Sequence, residues 1–100
     1  MRESKEEILR RQRKRQALAL MNEVISWDDA GRTPSRKPPY LGIMGASDYI
    51  YYIRRAREYK TREEQYNKAS AEHDYATQSV CYHKMQVILE HFMLLIIQNA

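Results

Sequence analysis

The chain has 100 residues, of which 43% are hydrophobic and 30% charged, with a net charge of +4; that balance describes one small domain and excludes a wholly disordered chain. Its single cysteine, Cys81, rules out an internal disulfide and fits a reducing compartment. A core this small leaves obligate partners or oligomers open.

The N-terminal stretch MRESKEEILRRQRKRQ has neither the apolar core nor the small-residue cleavage site of a secretory signal. The most apolar run, Phe92 to Ile97, is far shorter than the about 20 residues of a bilayer crossing, so the sequence reads as soluble and cytoplasmic, with no membrane role. A first helix is predicted over residues 4–29. Ser4 and Glu7 form a capping box, and Glu6 and Glu7 suit the positive end of the helix dipole. Ala17, Leu18, Met21, Val24, Ile25 and Trp27 recur at helical spacing, Gly31 suits the C′ position, and Pro34 blocks continuation. The two halves of this helix differ. Residues 10–16, RRQRKRQ, have no apolar face and must project into solvent or onto a partner, so Arg10, Arg11, Arg13, Lys14 and Arg15 supply a long-range electrostatic component.

Residues 30–46 form a loop that gathers all three prolines and all three glycines of the chain. Arg36, Lys37, Pro38, Pro39 and Tyr40 lie in a stretch preset toward extended geometry, which lowers the entropy lost on ordering against a partner. A proline-binding groove or a prolyl isomerase could use this segment; a stiff linker is the plainer reading. LGIMG, residues 41–45, lacks the preceding strand and the Lys-Ser/Thr of a phosphate loop and reads as a flexible lead-in to the next helix.

The region 47–99 contains neither Gly nor Pro and is predicted helical, with Ser47 as N-cap. Tyr52, Tyr59, Tyr66, His73, Val80, Val87 and Leu94 stand seven apart, which keeps one stripe along a supercoiled helix and leaves a homodimer possible. A break is expected near residues 67–74, where Asn67, Ser70 and Asp74 are weak helix formers and natural caps, because Val87 to Ile97 is apolar nearly all round and needs cover on several sides. The predicted fold is therefore all-α: two long helices joined by a Pro/Gly-rich loop, the second broken to give three.

Charge is segregated along this plan. Residues 1–20 carry seven bases and three acids, 21–30 three acids alone, 31–62 eight bases and two acids, and 63–100 two bases and five acids: +4, −3, +6 and −3, summing to +4. Such asymmetry implies an acidic partner, either nucleic acid or a protein with an acidic face. Chemistry is harder to place. His73, His83 and His91 include no pair four apart, and Cys81 and His83 face different sides of a helix, so neither a metal site nor a nucleophile pair is expected. No enzyme and no cofactor follows. The segment 48–66, DYIYYIRRAREYKTREEQY, mixes tyrosines with arginines, the types enriched at interface hot spots and also suited to nucleic acid. Tyr49, Tyr51, Arg54, Arg55 and Arg57 are the predicted contact residues, whereas Tyr52, Tyr59 and Tyr66 are expected to line a helix–helix seam.

ASDYIYYIRRAREYKTREEQY, residues 46–66, resembles the helical Ala-Tyr-Tyr-Ile region of the lambda Gam family, and the whole is similar in size and style to the small helical anti-RecBCD accessory proteins of lambdoid temperate phages. The resemblance implies a phage protein in the host cytoplasm that binds the RecBCD helicase–nuclease and alters its activity, in some cases with help from a host prolyl isomerase. Gam proteins are acidic DNA mimics, whereas this segment is basic. Direct DNA or RNA binding by the basic helices is the alternative.

Overall fold

The computed structural model describes residues 4–42 and 44–99, and among them there are helices and turns but no strand. The elements are α1 (Lys5–Asp29), α2 (Ala46–Ala71) and α3 (Tyr75–Gln98), with 3-10 turns at Pro34–Arg36 and Pro39–Leu41 between the first two helices. The architecture is thus all-α with three helices joined through a proline-containing connection, as the sequence predicts.

Each boundary has a local cause. At the start of α1 the Ser4 hydroxyl accepts from the Glu7 amide at 3.2 Å. At its end Gly31 adopts φ +87°, the Gly31 amide bonds to the Asp28 carbonyl, and the Arg32 amide bonds to that of Trp27. This pair of bonds is a Schellman motif, which glycine terminates without a Cβ penalty. α2 ends in the same way but with His73 in the left-handed role, at φ +58°; its amide meets the Ser70 carbonyl, and the Asp74 amide meets that of Ala69. Asp74 then caps α3 by accepting from the Thr77 amide, which also holds the Asp74 carboxyl below its ordinary value of 3.8. The break therefore falls at residues 72–74, inside the predicted window. Ser47 is not the cap of α2. Gly45 takes that place with no side-chain hydrogen bond, and the helix begins one residue earlier than predicted, at Ala46. Within LGIMG, Ile43 lies outside the described residues, and Leu41 is fully buried, which anchors a segment expected to be flexible.

α2 and α3 form an antiparallel hairpin. Their register shows in the pairs Tyr52–Phe92, with ring centroids 5.3 Å apart, Gln65–Cys81, and Tyr66–Tyr82 nearer the turn. α1 lies across the open end of this hairpin. Arg10 near its start pairs with Glu90 of α3, and Asp28 near its end pairs with Arg57 of α2. The core collects Leu20, Met21, Val24 and Trp27 from α1, Ile53, Ala56 and Tyr59 from α2, and Leu89, Phe92, Met93 and Ile96 from α3, with Leu41 of the connection beneath them. Each large apolar side chain so covered contributes about 1.5–3 kcal/mol of transfer free energy.

The seven-residue stripe does not survive as one seam. Tyr59 is buried, and Tyr52 and Tyr66 are half-buried, but Val80, Val87 and Leu94 are 52%, 57% and 49% exposed. The turn at 72–74 breaks helical phase, so a period that runs through it loses its meaning. α3 turns a different face inward: Cys81, Ile88, Leu89, Phe92, Leu95 and Ile96. The all-round cover expected for Val87 to Ile97 is absent on that outer side, where Val87, Leu94 and Ile97 remain exposed. By length and composition α3 as a whole, unlike its short apolar run, is long and apolar enough to cross a membrane.

Candidate interaction surface

The proline-rich connection is held by Trp27. The indole is buried, and its Nε1 donates to the Thr33 carbonyl at 2.8 Å, tying the loop to the last turn of α1. Tyr49 of α2 meets the same indole edge-on, with centroids 5.4 Å apart. Lys37 closes the stack, its Nζ lying 4.8 Å from the Tyr49 centroid and 6.0 Å from that of Trp27. Pro38 is buried and Tyr40 half-buried against the core, whereas Arg36 and Pro39 are exposed. Between this loop and α1 lies a cavity of about 480 Å3, lined by Arg36, Lys37, Pro38 and Pro39 on one side and by Asn22, Glu23, Ser26 and Trp27 on the other. It has an apolar floor and a charged rim. The sequence singles out these loop residues but gives Trp27 only a core role, because nothing local says that its ring nitrogen reaches six residues ahead.

The residues predicted as contacts on α2 are distributed over three places. Tyr49 belongs to the Trp27 stack. Arg57 faces α1, where it donates to Asp28 and Asp29, each at 2.6 Å. Asp28 is also reached by Arg32 at 2.8 Å; the hydrogen bonds from Arg57 and then Arg32 hold its carboxyl below 3.8, and the same contacts raise the Arg57 guanidinium. These aspartates are the all-acid segment of the sequence, and their complement is the cation-rich segment that follows the loop. Tyr51 and Arg55 turn to the opposite side. Arg55 pairs with Glu58 and sits over the Tyr51 ring at 5.3 Å, while the Tyr51 hydroxyl lies 3.1 Å from His91 Nδ1. Arg54 is exposed, and among the described residues it has no partner.

The seam tyrosines behave differently from Tyr51. Burial pushes the Tyr52 and Tyr59 phenols up. The basic turns of α1 are not wholly free in solvent: Arg10 pairs with Glu90, and Arg13 is half-buried beside Glu90, Leu94 and Ile97. Lys14 and Arg15 are exposed, as is Arg11. Cys81 is buried, with its Sγ 3.8 Å from the Gln65 side-chain oxygen. Among the described residues no group of three or more His, Cys, Asp or Glu side chains is placed to hold a metal ion. The sequence reading also misses the outward Val80, Val87 and Leu94, whose spacing it notes but whose direction it assigns to a seam.

Comparison of the chain with protein families, with curated proteins and with solved structures finds no match.

Proposed function

We propose that this chain is a non-catalytic interaction protein that grips a partner through its braced proline loop, and that the partner belongs to a nucleic-acid-processing complex of the RecBCD helicase–nuclease class. One observation carries the reading. The loop is fastened at Thr33, Lys37, Pro38 and Leu41 yet presents Arg36 and Pro39 outward beside a cavity of about 480 Å3. A recognition element fixed before binding loses less conformational entropy on binding. The class of partner rests on the resemblance of residues 46–66, and the positive field agrees with a partner bearing an acidic face.

Direct binding to nucleic acid by the basic helices is less well supported, because Arg10, Arg32, Arg55 and Arg57 are each committed to carboxylates of the same chain. The test is binding of the chain to purified helicase–nuclease, free of DNA, compared with binding to a generic duplex. Arg36→Glu combined with Pro39→Ala is expected to weaken the protein complex about tenfold or more, equivalent to about 1.4 kcal/mol, with helicity unchanged. Unchanged affinity removes the loop from the contact. Micromolar duplex binding that falls steeply between low and moderate salt replaces this proposal with the nucleic-acid one.

A further inference from the structure

The side of the α2–α3 hairpin that carries Val80, Val87 and Leu94 has a pattern with its own symmetry. On α3 the exposed aliphatics are Val80, Val87 and Leu94, with Val87 central and its neighbours seven residues away on either side. On α2 the residues on this side include Tyr51, Arg55, Glu58, Arg62 and Gln65. Tyr51 shares a surface depression with Leu94, Arg62 and Gln65 share one with Val80, and Arg55 links Tyr51 to Glu58. Their charges read plus, minus, plus about Glu58. The two centres lie level with one another: Tyr52 meets Phe92 and Gln65 meets Cys81, which puts Val87 beside Glu58 at the midpoint. A single two-fold axis, perpendicular to both helices, therefore passes through both patterns.

We propose that this face is the interface of a homodimer in which two copies meet antiparallel, α3 on α3 and α2 on α2. The operation sets Val87 against Val87 of the second copy and Val80 against its Leu94, and on one flank it brings His83 to its Glu90. It also brings Arg62 of each copy toward Glu58 of the other. In the single chain Arg62 donates only to the neutral amide of Gln65, at 3.0 Å, and among the described residues it has no acid partner. A closed two-fold needs one patch that complements itself, and a palindrome of apolar and charged residues is such a patch. An acidic partner would leave Glu58 opposed by like charge, and an anionic membrane would leave both Glu58 and Glu90 so opposed. The face is about 30 Å by 20 Å from helix rise and diameter, a footprint of about 600 Å2 in projection, close to the about 800 Å2 of accessible surface per partner in standard interfaces.

Sedimentation of the full chain from low-micromolar to sub-millimolar concentration is expected to show a monomer–dimer equilibrium. Val87→Asp, at a position already 57% exposed, brings two carboxylates together on the axis and is expected to weaken the dimer about a hundredfold or more while its circular dichroism stays helical. A second measurement does not depend on charge. Under mild oxidation, Val80→Cys mixed with Leu94→Cys is expected to give the mixed disulfide-linked dimer, whereas neither variant alone cross-links to itself. The unmodified chain, whose one thiol is the buried Cys81, is the control. A monomer at every concentration overturns the proposal. So does a dimer that Val87→Asp leaves intact, or a Val80→Cys chain that cross-links to itself, which would mean parallel packing. A monomer that instead binds duplex DNA or anionic vesicles in a Val87-dependent manner assigns the face to that ligand and overturns the dimer equally.

Discussion

Where α1 lies against the α2–α3 hairpin, the two helices bury Ile53, Ala56 and Tyr59 on one side and Leu89, Phe92, Met93 and Ile96 on the other. Toward the turn the same two helices bury only Ala69 and Cys81, both outside the main core. Helix type and length do not differ between these ends. What differs is the third layer, and with it the source of stability. At the open end, packing holds the helices. At the turn end, local backbone devices do so: the Schellman bonds around His73 and the Asp74 cap. A helix pair without cover is marginal in water, so the turn end depends on the core beyond it.

The largest effect that tests this contrast is expected from Phe92→Ala. Phe92 is fully buried and meets Tyr52 edge-on, so its truncation should cost about 3–5 kcal/mol, read by urea or thermal unfolding, while Tyr75→Ala, near the turn and 69% exposed, should change stability by less than about 0.5 kcal/mol. Comparable losses at the two sites would mean that the turn end contains packing not seen in this structure. A smaller effect sharpens the role of the α1–α2 clasp. Asp28 has its carboxyl value lowered in the folded state by Arg57 and Arg32, so its contribution is complete above the unfolded value near 3.8 and is lost as pH falls through the lower folded value. Asp28→Asn should cost about 1 kcal/mol at neutral pH and flatten that acid limb of the stability curve; an unchanged acid limb would remove the clasp from the account. The smallest effect concerns the turn itself. His73 occupies φ +58° where glycine is favoured, and His73→Gly should raise stability by about 0.5–1 kcal/mol in the same unfolding assay. A loss instead would mean that the His73 side chain, near the Tyr75 ring, contributes more than its backbone strain costs.

The parts of this fold that are legible in the sequence are those decided within a few residues. The Ser4 cap, the Gly31 stop and the break before Asp74 each depend on a backbone group and a side chain that are neighbours along the chain. The start of α2 was misplaced because a serine beside an aspartate resembles a cap, although Gly45 already supplies the extended residue that a helix start requires. The loop residues of the candidate surface could be identified by composition, and the tie that orders them could not, since Trp27 donates to a carbonyl beyond a turn. Likewise Arg57 looked available because its two aspartates lie nearly thirty residues earlier and on another helix.

The sequence by itself determined that the protein is helical, where its helices begin and end to within a residue or so, and that its charge is segregated. These follow from propensity, capping and counting, which act over one turn. Only the tertiary structure decided which face of each helix points inward. A seven-residue period fixes that a stripe exists but not its azimuth, and azimuth is set by what packs opposite. Tyr59 and Val87 share one repeat, and one is covered while the other faces outward, because the turn at 72–74 rotates the second helix before it meets the first.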